Sequence, residues 1–361
     1  MTASKSKKNK YEIDMCNGTV LDKLISFSIP LMLSSILQLL FNAVDIVVVG
    51  RFSGSRALAA VGSTTALINV FTNLFIGVSL GANVLAARFY ATKQEKQMSE
   101  TVHTAVTFAL ISGIVMVFVG LFFSKAALLL MDTPSDVIGQ SALYMRIYFA
   151  GMPFFMLYNY GAAILRAVGD TKRPLFFLII AGIVNAALNL FLVIVLHLGV
   201  AGVAIATVIA QMISCLLVLR CLYRSDGSYQ LRFSAMTIKW IYLKQIFQVG
   251  IPAGIQSTVI NFSNVLLQSS VNSFGSIAMA GYTAANNIFG FLYAAANSIT
   301  QACMSFTSQN YGAGKWKRMD KVLRNCILLS VVVSLILGGG SYLFGPLFDS
   351  VCLVFHFIFR I

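Results

Sequence analysis

Apolar residues run through this chain in blocks too long for a soluble fold. Blocks of about 20 or more mostly apolar residues, the length that crosses a bilayer, fall near 24–50, 57–87, 102–124, 138–166, 174–196, 200–222, 245–272, 277–308 and 322–348. Each predicts a membrane-spanning helix, because backbone groups in lipid must find their partners within the segment. Pro30, Pro153 and Pro252 fall inside these blocks or near their ends. A missing backbone donor at such places invites a bend.

The pattern repeats. "FSIPLMLSSILQLLFNAVDIVVVGRF" resembles "VGIPAGIQSTVINFSNVLLQSSVNSF" at an offset of 222, so that Pro30 meets Pro252, Ser35 meets Ser257 and Asn42 meets Asn264. After a one-residue gap, Ala57 meets Ala278, Tyr90 meets Tyr311 and Met98 meets Met319. Six spans separate the starts of the copies, an even number, so both copies run in the same direction. The expected fold is therefore an all-α polytopic membrane protein. It is built from two parallel-repeat bundles around an axis along the membrane normal. The first bundle has six spans and the second is incomplete, with about three. The expected organisation is a tail at 1–23, an N-lobe at 24–223, a linker at 224–244 and a truncated C-lobe at 245–361. On this reading the sequence is a fragment or a shortened protein.

Charge orients the spans. Twenty-one of the 26 basic residues lie in the tail and in the even-numbered connections, whereas the opposite connections hold only Arg51, Arg56 and Lys125. The positive-inside rule then places the N-terminus in the cytoplasm of a multi-pass protein of the inner (plasma) membrane. Composition agrees: 58% of residues are hydrophobic and 11% charged, against about 25% charged in soluble domains. The net charge of +14 is thereby explained without a nucleic-acid partner. The six cysteines show neither disulfide nor metal-ligand spacing and read as small core residues.

Asp45 is the acid that does not fit. It sits in "FNAVDIVVVG", well inside the first span, while the other eleven acids fall in tails, loops or near span ends. An acid at mid-bilayer costs roughly 2.5–3.5 kcal/mol on insertion scales and marks a functional site by default. Ser34, Gln38, Asn42 and Asp45 share one helical face, which must meet the bundle interior or a wet cavity. The plainer alternative is an Asp that only locks helix packing. In the fifth span, "NAALN" puts Asn185 and Asn189 one turn apart, and the small-residue sixth span offers Thr207. A carboxylate, two amide oxygens and a hydroxyl suit Na⁺, a hard cation that takes oxygen ligands as other hard cations do. The same set could surround a protonatable Asp. Interhelical hydrogen bonding alone is an equally open reading of the two asparagines. Ser257, Asn261, Asn264 and Gln268 share a face of the seventh span, and Asn69 and Asn73 lie one turn apart in the second. All of these, with Gln38 and Asn42, are candidate cavity-lining positions. Arg146 is the basic residue well within a span. It snorkels outward, caps a helix or serves Asp45 as counter-ion.

The segments "IPLMLSSILQLLFNAVDIVVVGRFSGSRALAAVG", "LRAVGDTKRPL", "IVNAALNLFLVIVLHLGVAGVAIAT" and "GIPAGIQS…AMAGYTAANN" resemble the multidrug and toxic compound extrusion (MATE) transporters. The resemblance covers about residues 20–348. It implies a cation site formed by an Asp of helix 1, polar residues of helix 5 and a Thr of helix 6, roles that fall on Asp45, Asn185, Asn189 and Thr207. Many relatives carry Asp at the position of Asn189. Asn leaves one formal negative charge, which argues for H⁺ or Na⁺ over a divalent ion. A C-lobe acid found on helix 7 of some relatives is replaced by neutral residues, and the family's helices 10 to 12 are missing.

The activity implied is antiport of small organic cations or drugs against H⁺ or Na⁺, by alternating access and with no cofactor. Helix 1 would bend at Pro30 when Asp45 is neutralised. A full-length chain would act as a monomer in the bilayer. A lipid-linked oligosaccharide flippase shares the two-lobe architecture, but would need more basic residues inside the lobes. An inactive fragment or a membrane sensor is the remaining alternative. No paired carboxylates, histidine cluster or nucleophile with a base indicates an enzyme.

Overall fold

The structure, a computed structural model, describes residues 11–131, 133–272 and 276–343. They form an all-helical membrane protein. The element order is α1 (Leu21–Ala91), α2 (Glu95–Leu130), α3 (Ile138–Ala150), α4 (Met152–Ala167), α5 (Lys172–Leu190), α6 (Gly199–Tyr223), α7 (Trp240–Asn272), α8 (Ser276–Gly312) and α9 (Trp316–Leu343). A π-helical turn, Phe191–Val195, continues α5, and a short 3-10 turn, Phe233–Ala235, lies between α6 and α7. The last residues of the ninth expected span, 344–348, and the tail beyond them lie outside the described residues.

The expected first and second spans are two arms of α1. They meet at Gly54, whose φ of +84° and ψ of 175° make the corner. An L side chain adopts such a φ only at a cost, so glycine is the natural residue there. The expected span at 138–166 is two helices, α3 and α4, broken at Gly151. Pro153 stands in the first turn of α4, where its missing N–H costs nothing and its fixed φ starts a helix. The same proline would have interrupted a continuous helix. Elsewhere the apolar blocks and the helices coincide to within a few residues. Bulky apolar side chains such as Phe118, Phe122, Phe123, Ile183, Leu335 and Ile336 stay exposed, as lipid-facing surfaces do.

Burial falls into two clusters. The larger joins the second arm of α1 to α2, α3, α4 and α6, with Phe149, Met156, Tyr160, Val203 and Val218 among its buried members. The smaller gathers Met15, Val20, Leu24, Phe27 and Leu31 with Ile299, Ala302, Phe306, Val322 and Cys326. The start of the first arm thus packs on α8 and α9, and Phe27 meets Phe306 edge-on at 5.5 Å.

The internal repeat is visible in these contacts. Ser35 of the first arm meets Ser298 of α8 at 3.3 Å. The offsets of 222 and 221 carry this pair to Ser257 of α7 and Gly77 of the second arm. There the same crossing recurs: a Cβ at Gly77 would lie 2.3 Å from Gly254 Cα. Gly77 and Gly81 face Gly250 and Gly254 along this seam, and a Cβ at Gly81 would lie 2.1 Å from the Ile246 carbonyl oxygen. Such small-residue pairs let helix backbones touch in a membrane.

Candidate functional site

Asp45 lies nine residues before the Gly54 corner, about 13 Å along the helix axis, and is buried at 7% exposure. Three helices build its surroundings. Phe41, one turn before it, lies flat against α5 because Gly182 has no side chain there; a Cβ would overlap the ring. One turn beyond Gly182 stand Asn185 and then Asn189, both buried, the latter completely. The π-helical turn begins two residues after Asn189. Such wide turns frequently sit beside functional groups. From α6 comes Thr207.

The hydrogen bonds join all four residues. Asn189 Nδ2 donates a short bond to Asp45 Oδ1, and also donates to Asn185 Oδ1 at 3.3 Å. Asn185 Nδ2 donates to Thr207 Oγ1 at 3.4 Å. The Thr207 hydroxyl has one proton and two acceptors in reach, Asp45 Oδ2 at 3.3 Å and Val203 O at 3.0 Å. It can serve only one at a time, so Asp45 Oδ2 has a part-time donor. The Asn189 side-chain oxygen is buried without a hydrogen-bond partner among the described residues. A buried acceptor left empty costs about 1–3 kcal/mol. Two under-donated oxygens in one buried cluster fit a small cation or a proton. No lysine, arginine or histidine among the described residues forms an ion pair with Asp45. Arg146 is exposed, and the counter-ion reading finds no contact to support it.

Tyr144 and Tyr148, one turn apart on α3, stand close enough to interact electrostatically with the Asp45 carboxylate. Sequence reading missed them, because tyrosines in an apolar block look like any other membrane aromatic. Their spacing, one turn apart in the span that also carries Arg146, was the available signal.

The other expected positions are not drawn into this cluster. Gln38, Asn42, Asn69 and Asn264 are exposed, and Asn73 and Ser257 are half-buried. Ser257 Oγ donates to Ala253 O at 3.1 Å. The polar stripe of the first arm therefore divides: Asp45 turns toward α5 and α6, while Gln38 and Asn42 remain open. Asn261 and Gln268 have side chains outside the described residues. Pro30 is buried, its carbonyl accepts a bond from Ser34 Oγ at 2.8 Å, and the arm stays helical there.

Comparison with known proteins places this geometry in context. The MatE family profile matches residues 30–191 and 252–348. The chain is 32% identical over 316 residues to the probable multidrug resistance protein YoeA of Bacillus subtilis strain 168, covering 85% of this chain and 68% of that one. It is 30% identical over 309 residues to the probable multidrug resistance protein YpnP of the same organism, again covering 85% and 68%. Among solved structures, an outward-facing multidrug resistance MATE transporter of the MOP superfamily superposes with a TM-score of 0.89 at 22% identity. That superposition covers 96% of this chain and 77% of the other.

Proposed function

Because the chain belongs to the MATE family of membrane transporters, we propose that it exports drugs by antiport, with H⁺ or Na⁺ as the coupling ion and Asp45 as the switch. The observation that carries this reading is the Asp45 cluster: a buried carboxylate without an ionic partner among the described residues, beside an Asn189 oxygen without a donor. Asp45, Asn189, Asn185 and Thr207 supply the oxygens that would meet Na⁺, while Asp45 alone would take a proton.

The names of the relatives supply the substrate class. Multidrug resistance proteins imply drugs as cargo, and one uncompensated negative charge favours small organic cations. Gln38, Asn42, Asn69, Asn73, Ser257 and Asn264 are the lining we assign to the space between an N-lobe, 24–223, and a C-lobe that begins at 245. Neutralising Asp45 from outside removes the attraction for a cationic drug and lets the first arm bend at Pro30. One charge moved down 100 mV supplies about 2.3 kcal/mol, enough for roughly a fiftyfold gradient. The basic bias of the even-numbered connections supports an N-terminus in the cytoplasm and an inner-membrane location.

Energised uptake of ethidium into inverted vesicles, compared between the native chain and Asp45→Asn, tests the reading. Loss of ion-driven uptake with the protein still inserted supports it. Equal uptake by both would overturn it.

A further inference from the structure

At the end of α1 away from Asp45, the helices are bridged by a segment outside the Asp45 cluster. Residues 11–20 precede α1 and cross from one group of helices to the other. On the α8–α9 side, Asn310 Nδ2 donates to Met15 O at 3.2 Å. Lys315 Nζ donates to Cys16 O at 2.9 Å and to Asn17 Oδ1 at 2.8 Å. Arg318 donates to Met15 O at 3.2 Å, to Gly18 O at 2.8 Å and to Asn17 O at 3.0 Å. Met15 and Val20 are buried in the cluster of Phe306 and Val322. Asp14 Oδ1 holds the segment's own turn, accepting from the Cys16 and Asn17 amides at 3.0 and 3.2 Å.

The opposite side is lighter. Glu12 accepts from Tyr90 Oη at 2.9 Å and from Tyr229 Oη at 2.7 Å. The Ile13 amide donates to Gly169 O at 3.3 Å, and Arg173 lies over the Tyr11 ring at 5.5 Å. Tyr90 ends α1, Gly169 follows α4, and Tyr229 stands in the connection after α6. Three direct ties accompany this strap. Gln309 Nε2 donates to Ala167 O at 2.7 Å, Ser305 Oγ donates to Asn83 Oδ1 at 3.0 Å, and Arg88 lies over the Tyr311 ring at 5.5 Å. Under the strap runs a cleft of about 1770 Å³ lined by Glu12, Tyr90, Arg173, Tyr229 and Gln309.

We propose that residues 11–18 are a clasp that holds this end closed, and that on opening the clasp stays with α8 and α9 while Glu12 and Ile13 let go of Tyr90, Tyr229 and Gly169. The asymmetry decides the direction. Lys315 and Arg318 supply five bonds from ionised donors and the apolar burial lies on their side, whereas Glu12 supplies two bonds to an ionised acceptor. A two-sided tie parts where it is weaker. The inference rests on the alternating-access reading only in supposing that this end opens. Glu12 is then the releasable catch, and carries no part of the ion site.

The test is a set of distances between nitroxide labels at three exposed positions, Thr19 on the strap, Lys317 on α9 and Asp226 after α6, in the otherwise intact chain in liposomes. In Glu12→Ala, the Asp226–Lys317 pair should gain a longer component populated roughly tenfold more than in the native protein, a shift of about 1.4 kcal/mol. The Thr19–Lys317 distance should not change. Tyr90→Phe combined with Tyr229→Phe removes the same two bonds with the rings kept, and serves if Glu12→Ala does not fold. A strap that travels with Asp226, or populations equal to native in both variants, would overturn the proposal. No drug and no ion gradient is needed, so a chain that fails the ethidium assay can still pass or fail this one.

Discussion

The surroundings of Asp45 and the strap end are both polar and both buried in part, yet they are built on opposite accounting of hydrogen bonds. Around Asp45, donors are scarce: one shared hydroxyl, one short amide bond, and an Asn189 oxygen with nothing to accept among the described residues. At the strap, carbonyls 15–18 are met by lysine, arginine and asparagine donors. A deficit of donors leaves a place for a positive charge to enter. Carbonyls met by such donors fix a conformation, although the buried Asn310 Oδ1 beside them finds no donor among the described residues. On the proposed reading the first region changes its charge and the second resists until the change is made, and the two chemistries are kept about one helix length apart.

The variants that probe this contrast run from abolition to adjustment. Asp45→Asn should remove ion-driven ethidium uptake down to background while insertion is unchanged, read by uptake normalised to protein in the membrane. Gly81→Leu puts a side chain where a Cβ already lies 2.1 Å from the Ile246 carbonyl oxygen. Overpacking costs about 1–3 kcal/mol, and here it should part the α1–α7 seam, seen as faster thiol labelling of a cysteine placed at Val78, a buried position that lies against Gly250. Removal of Asn189 leaves Asp45 one donor short. Asn189→Ala should change the apparent affinity for the coupling ion roughly tenfold, the scale of one hydrogen bond to a charged group: tighter for H⁺, because the donor to the charged carboxylate is lost, and weaker for Na⁺, because an oxygen ligand is lost, measured as the ion concentration giving half-maximal uptake. Gln38→Ala, at one of several exposed lining positions, should change the KM for ethidium by about two- to threefold, the low end of one neutral hydrogen bond. A larger effect there would mean that the open face of the first arm is a main contact of the drug.

How much of this was legible in the sequence depends on what each feature leaves as a trace. Hydropathy found the spans because lipid filters composition directly, and the Gly54 corner falls where the apolar blocks lapse into "GRFSGSR". The bend near Gly151 was signalled by Pro153, but its depth, two separate helices, was not, since membrane helices tolerate proline without breaking. Asp45, Asn185, Asn189 and Thr207 stood out because a polar group in an apolar block is costly and therefore conspicuous. Their convergence at hydrogen-bonding distance is what the structure adds. The strap was invisible for the opposite reason. Its bonds end mostly on backbone carbonyls, which every sequence possesses, and its lysine and arginine partners looked like ordinary cytoplasmic charge. Tyr144 and Tyr148 escaped for want of contrast with their aromatic neighbours.

The glycine seam has a mechanical side. Gly77, Gly81, Gly250 and Gly254 present bare main chain to one another, so little interlocks along that stretch until Phe89 meets Tyr242 at 5.8 Å. Interdigitated leucines would have to find their rotamers again each time the surfaces met. Two smooth ridges can part and close repeatedly without that search, and a joint of this kind wears no memory of the previous stroke.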